Sequence, residues 1–181
     1  MTLSAEQLKC LASPARNEVF TQLRILGKAS IGDVAKALGK KPESVHYHMK
    51  GLVSAGLAKE AFRRPAPKKP ESVYEPVGRK LRLPAQDSGS EIATLTRKAV
   101  AAGLRQTLRG YQKASQAAEH SPKVRARMHV IKASLRLKAA DAEAFFKLIE
   151  AASRFADEHR DDSGERLVWS SLVYPVIREK G

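Results

Sequence analysis

Apolar residues recur along the first half of the chain at the spacing of short helices. Leu8 and Leu11 precede Ser13-Pro14, an N-cap serine followed by a first-turn proline, which ends one short helix and starts another. Val19, Phe20, Leu23 and Leu26 follow at helical intervals, and Gly27 closes the run. Ser30 with Asp33 three residues on forms a capping box, and Ile31, Val34, Ala35 and Leu38 make an i, i+3, i+4, i+7 stripe that stops at Gly39. Pro42 opens a helix over 42–54 with Val45, Met49, Leu52 and Val53 on its buried side. Gly56 then sits where a left-handed residue ends a helix. Two short helices joined only by Gly39-Lys40-Lys41 must cross steeply, as a helix-turn-helix does. Neither is long enough to hold alone, so the preceding helices must cover their apolar stripes.

After Leu57 the period changes. Residues 58–62 read as a strand, 63–70 as a loop and 72–77 as a returning strand. Pro65, Pro67 and Pro70 keep the loop out of either strand, and Arg63, Arg64, Lys68 and Lys69 charge it positively. A basic hairpin directly after a helix-turn-helix is a wing.

A second part begins at 83/84, with residues 86–90 as a linker. A long Ala-rich helix over 91–119 carries Val100, Leu104, Leu108 and Tyr111 on one face, and Ser121-Pro122 breaks it. Ile131, Ala133, Leu135 and Leu137 then alternate with Lys132, Ser134, Arg136 and Lys138, the period of a strand with one wet face. Asp141 opens a helix with Ala142, Phe145, Ile149, Ala152 and Ala156 inward; 161–164 reads as a turn and 167–177 as a second strand. The expected fold is therefore mainly α with a small β component. Residues 1–83 form a winged helix-turn-helix of three helices plus a two-stranded wing. Residues 84–181 form a dimerisation or effector part, a long helix followed by a small α+β region whose two strands pair antiparallel.

Composition narrows the function. The 181 residues are 43% hydrophobic, normal for a folded chain, and no apolar run approaches the roughly 20 residues of a membrane span. Met1-Thr2-Leu3-Ser4-Ala5-Glu6 lacks the basic start and apolar stretch of a signal peptide. Cys10 is the single cysteine, which excludes an intramolecular disulfide and fits a reducing compartment. A cytoplasmic protein is expected. The formal net charge is +14, and it is unevenly placed. Residues 1–83 carry 16 basic and 7 acidic side chains, net +9; residues 84–138 carry 11 and 3, net +8; residues 139–181 carry 6 and 9, net −3. That polarity points to nucleic acid as partner, ahead of an acidic membrane surface.

Several segments together resemble the ArsR-like winged-helix repressors. They are Leu11-Ala12-Ser13-Pro14-Ala15-Arg16, Ile31-Gly32-Asp33-Val34-Ala35-Lys36-Ala37-Leu38-Gly39, Val45-His46-Tyr47-His48-Met49-Lys50-Gly51-Leu52, Ala55-Gly56-Leu57, Val73-Tyr74 and Gly78-Arg79. The resemblance covers about residues 5–83 and implies a dimeric, DNA-binding transcriptional regulator, in the first place a repressor. The pattern between Leu137 and Pro175 resembles C-terminal extensions attached to such domains. Two departures stand out. Metal-sensing members carry closely spaced cysteines in the helix that here spans 31–38, which has none. Lys41 also occupies a cap position where the family usually has Ser or Thr; a cation there opposes the helix dipole, a cost that makes sense if it meets a phosphate.

If the helix over 42–54 enters a major groove, its outward residues are Glu43, Ser44, His46, Tyr47 and Lys50, whose donors and acceptors suit base edges. Lys40, Lys41, Arg63, Arg64, Lys68 and Lys69 would hold phosphates or enter the minor groove, giving affinity and salt dependence. A two-fold dimer would set its recognition helices roughly 34 Å apart and read a pseudo-palindromic site on double-stranded DNA. Blander readings compete. His48 falls on the inner side and is expected to be a packed histidine, whereas Tyr47 points outward. Arg16 suits helix packing as well as phosphate. The Val100, Leu104, Leu108, Tyr111 stripe reads as core or dimer interface, and Arg97, Lys98, Arg105, Arg109 and Lys113 as a wet helix face.

No metal, cofactor or catalytic role is expected. His46 and His48, two residues apart on a helix, cannot share an ion, and His120, His129 and His159 have no regular spacing. Asp157, Glu158, His159, Asp161 and Asp162 could hold a cation only weakly. Cys10 reads as a small buried thiol rather than a redox switch. No Gly-rich phosphate loop, HExxH or nucleophile elbow occurs, so the chain is not read as an enzyme. Phe145, Phe146, Phe155, Trp169 and Tyr174 concentrate in the tail; a core is favoured over a pocket for an unknown small-molecule effector. The competing function is an architectural DNA-binding or protein-interaction module that keeps the winged helix without reading sequence.

Overall fold

The computed structural model describes residues 1–67, 69–78, 81–84, 90–159, 161, 163–165 and 167–174. It opens with α1 (Ala5–Leu11) and α2 (Pro14–Leu26), then β1 (Ala29–Ser30), α3 (Ile31–Leu38), α4 (Pro42–Ser54), β2 (Ala58–Arg64) and β3 (Glu71–Pro76). The long α5 (Glu91–His120), a short α6 (Pro122–Arg125) and α7 (Ala139–Glu158) follow. This is a winged helix-turn-helix followed by a long helix.

Local chemistry sets the boundaries. Ser30 Oγ accepts from the Asp33 amide at 3.2 Å while Asp33 Oδ2 accepts from the Ser30 amide at 2.9 Å, the reciprocal capping box expected for α3. An unexpected second box starts α1, where Ser4 and Gln7 exchange the same pair of bonds. Ser13 does precede α2, but its side chain makes no capping bond; Pro14 supplies the preformed first turn instead. Gly39 at φ 63 and Gly56 at φ 67 are the left-handed residues that end α3 and α4. After Gly56 the chain turns so that the Leu57 amide donates to the Leu52 carbonyl at 2.9 Å.

The sheet has one strand more than the sequence suggests. β3 is central, with β2 and β1 antiparallel on either side, Ala29 opposite Tyr74 and Ser30 opposite Val73. A two-residue strand carries too little alternation to be seen in a sequence. β2 also holds a bulge: Glu60 pairs with Tyr74 and Phe62 with Val73, so Ala61 has no opposite residue. Beyond the wing the chain returns to its own start, where Leu3 and Arg82 are joined by a 2.9 Å backbone bond.

Leu8, Leu11, Val19, Phe20, Leu23, Val34, Val45, Met49, Leu52 and Leu57 form one buried core beneath the sheet and between the helices. The first turns of α5 join it. Ala93, Thr96, Ala99 and Ala102 are its buried face, and the helix lies against α1 and α2. Small side chains let the backbones approach closely there. The stripe of Leu104, Leu108 and Tyr111 therefore points elsewhere and stays exposed. At the far end, Arg125 folds back from α6 and donates to the Ala118 carbonyl at 3.0 Å, satisfying an acceptor that the helix end leaves open.

The C-terminal part departs from the sequence reading. Among the described residues, 131–138 and 167–174 form no strand, and every side chain in both stretches is exposed, Ile131 to 76%. An alternating stretch becomes a strand only when a partner takes its backbone groups and its apolar side, and here neither stretch meets one. α7 forms, starting at Ala139 with Asp141 in its first turn, but none of its residues is buried. The expected turn is present, with Asp161 Oδ1 accepting from the Ser163 amide at 2.7 Å; Asp162 lies outside the described residues. So do 86–89 of the expected linker and 175–177 of the expected second strand. Thr107 with Ser170 at 3.2 Å and Arg127 with Glu165 at 3.0 Å tie this part to the rest.

Burial of this kind has a measurable consequence. Leu52→Ala should cost roughly 2–5 kcal/mol by opening a cavity between α2 and α4, while Leu148→Ala, on the exposed side of α7, should stay within about 0.5 kcal/mol. Urea unfolding of the two variants checks this, and equal losses would contradict the core as drawn.

Candidate nucleic-acid interface

Helix α4 is amphipathic across its width. Val45, Met49 and Leu52 are fully inside, so the helix rotation leaves Glu43, Ser44, His46, Tyr47 and Lys50 on the opposite side, all exposed and Tyr47 to 66%. Lys41 stands at the N-cap with its side chain free of any capping bond, and Pro42 takes the first turn. A cation beside the positive end of a helix is not placed there for helix stability.

An open groove runs between α4 and the sheet. His46 and Lys50 line its helix side; Glu60, Arg63, Ser72 and Tyr74 line its strand side, and Lys69 its outer end. Ile31 and Met49 form an apolar floor. The concave surface thus brings together residues from both the helix and the wing that the sequence marks as DNA contacts.

The predicted phosphate ligands separate into two groups. Lys41, Arg63 and Lys69 are exposed, and Lys68 lies outside the described residues. Lys40 and Arg64 are engaged within the protein. Lys40 is half-buried and ion-paired with Glu18 of α2. Arg64 donates through Nη2 to Asp33 at 2.9 Å and through Nε to Glu71, and Nη2 also reaches Ser30 Oγ at 3.3 Å. Arg63 is paired too, with Glu60 at 2.9 Å, but on the groove side. Glu18, Glu60 and Glu71 are the residues sequence reasoning missed, together with the second role of Asp33 as a partner of Arg64. Their only signal was an acidic residue near a cation in space, which a linear pattern does not show.

Asp33 is drawn in two directions: burial alone would raise its pKa, but bonds from the Ser30 backbone and hydroxyl and the Arg64 guanidinium outweigh that and hold the carboxyl below its ordinary value. Arg16 serves packing. Its guanidinium lies against Gly51 of α4, where a Cβ would sit 3.2 Å from Arg16 Nε. Cys10 is buried, with Sγ 3.6 Å from the Gly51 carbonyl, and burial pushes its thiol up despite the nearby Arg16.

His48 does turn inward. Its Nδ1 is shut off from solvent and has no hydrogen-bond partner among the described residues, and its ring meets Tyr47 edge-on at 5.3 Å. Burial, then the cations Lys40 and Arg16, hold its pKa below the ordinary imidazole value, against the opposing pull of Glu18. The tail aromatics do not form a buried core among the described residues: Phe146, Phe155, Trp169 and Tyr174 are all more than half exposed and Phe145 is only partly covered. Among the described residues, no group of three His, Cys, Asp or Glu is placed to hold a metal ion, and no helix is long and apolar enough to cross a membrane.

A family model described as a helix-turn-helix domain matches residues 11–61, from the end of α1 into β2. No curated protein matches the chain. The fold and the matched segment agree on a helix-turn-helix domain, the architecture of DNA-binding regulators.

The state of His48 predicts a pH dependence. Its folded-state pKa is depressed, so the unfolded chain takes up the proton first, and stability falls as pH drops below about 6.5 towards the folded value. His48→Leu should lose less stability than wild type between about pH 7.5 and 5.5 in urea unfolding; an equal loss in both proteins would show that the ring is not held neutral by the fold.

Proposed function

We propose that the protein is a sequence-specific, double-stranded-DNA-binding transcriptional regulator of the ArsR-like winged-helix kind, acting in the cytoplasm as a homodimeric repressor. The observation that carries this reading is the exposed row Glu43, Ser44, His46, Tyr47 and Lys50 on the face of α4 that borders the wing groove. Donors, an acceptor and an aromatic ring concentrate on one helix face, which suits base edges in a major groove. Lys41, Arg63 and Lys69 flank that row with exposed cations suited to phosphates, and Lys68 belongs to the same wing tip in sequence.

Dimerisation is supported by what a single chain leaves uncovered. Leu104, Leu108 and Tyr111 form an apolar stripe on α5 beyond its contact with α1 and α2, and a stripe of that kind is the seam of a helix pair. A second copy against it makes the regulator two-fold, and the pseudo-palindromic site follows from that symmetry. Residues 84–181 then serve dimerisation. The tail aromatics are the candidate walls of an effector site completed in the assembled protein.

Selection of binding sites from random DNA at two salt concentrations tests the reading. An enriched inverted repeat, recovered by wild type and lost in Tyr47→Ala, is the expected result. Enrichment of no sequence, with affinity that only falls as salt rises, would instead leave an architectural binder held by charge.

A further inference from the structure

Arg63 and Arg64 are adjacent, equally charged and both at the base of the wing; strand alternation sends them to opposite faces, and the bulge decides which face each one takes. In a regular strand, residues 60 and 63 point to opposite sides, and residues 60 and 64 to the same side. Because Ala61 is unpaired, Glu60 lies opposite Tyr74 and Arg63 opposite Ser72, two positions of β3 that share a face. The 2.9 Å Arg63–Glu60 ion pair is the direct result, since an i, i+3 pair on one face of a strand needs the extra residue. By the same shift Arg64, opposite Glu71, falls on the face with Ser30 and Val73.

On that face Arg64 does something its neighbour cannot. Its guanidinium forks between Asp33 in the first turn of α3 and Glu71 at the start of the returning strand. Asp33 is also half of the capping box that begins α3. One planar cation thus links both strands of the wing to the helix that supports α4. Arg63 meanwhile stands at the groove with His46, Ser72 and Lys69.

Resting on the DNA-binding reading, we infer that the bulge at Ala61 assigns the two arginines to separate tasks by setting which of them faces the groove. Arg63 is the wing's phosphate ligand, released from Glu60 when a phosphate arrives. Arg64 is a positioning residue that fixes the angle of the wing against α3 and touches no DNA. Lysine cannot replace Arg64, because an ammonium does not span two carboxylates with fixed geometry.

Binding to a mixed-sequence DNA duplex, measured across a salt series, separates the tasks. Arg63→Gln should reduce the slope of log affinity against log salt by about one, as loss of one phosphate contact does. Arg64→Gln and Arg64→Lys should both weaken binding several-fold with the slope unchanged. Glu71→Gln supplies the discriminating result. It removes a negative charge from the edge of the groove, so simple electrostatics predicts tighter binding, whereas loss of wing positioning predicts weaker binding. Combined with Arg64→Gln, it should add little, because both changes break one network. A reduced slope in Arg64→Gln, or tighter binding by Glu71→Gln, would overturn the assignment while leaving DNA binding intact. A wild-type protein that binds no duplex at any salt would overturn the DNA reading itself, and this inference with it.

Discussion

Helix α4 has to bury Val45, Met49 and Leu52, and that single requirement fixes most of what the molecule presents to its surroundings. Thirteen residues do not make a stable helix in water, so α4 exists only where α2 and α3 cover its apolar side. Once that side is set, the helix period leaves no choice about the other: Glu43, Ser44, His46, Tyr47 and Lys50 face out together. The turn that allows this crossing depends on Gly39, whose positive φ lets α3 end abruptly before Lys40 and Lys41. The core and the recognition face are therefore two sides of one constraint.

The polar contacts arrange what the core leaves free. Lys40 is drawn back to Glu18, Arg64 to Asp33 and Glu71, and Arg63 to Glu60, so a strongly basic front is not uniformly available. Exposed pairs of this kind contribute little to stability. Their effect is on geometry: they decide which cations stand at the groove and which hold the wing to the helices. Lys40–Glu18 and Arg64–Asp33 join elements well separated in sequence, Arg64–Glu71 spans the wing hairpin, and Arg63–Glu60 depends on a bulge.

Where signals were local, the sequence was legible. The Ser30–Asp33 box, the glycines at 39 and 56, the four helical stripes before residue 55 and the basic hairpin all rest on spacing within a few residues, and the structure contains each, with two corrections. Val53, expected on the buried side of α4, is exposed, and Arg63 and Arg64, expected in the loop, belong to β2. The inward turn of His48 follows from its place between Val45 and Leu52. What could not be read was set by distant partners. β1 is two residues long and exists because β3 offers an edge; the bulge at Ala61 is visible only as a register shift between paired strands. The buried face of α5 is a row of alanines and a threonine, which hydropathy ranks below the leucine stripe that stays outside. The alternating stretches in the tail carry the period of strands, but a period without a partner does not make one.

Hydrogen exchange of the backbone with and without a duplex recovered by site selection tests the central claim most directly, because it reports each element separately. New protection is expected over residues 42–50 of α4 and across the wing strands at 63–64 and 71–72, with α7 at 139–158 unchanged by DNA. Protection concentrated in α7, with α4 exchanging as it does in the free protein, would show that the face built by burying Val45, Met49 and Leu52 is not the one that meets DNA.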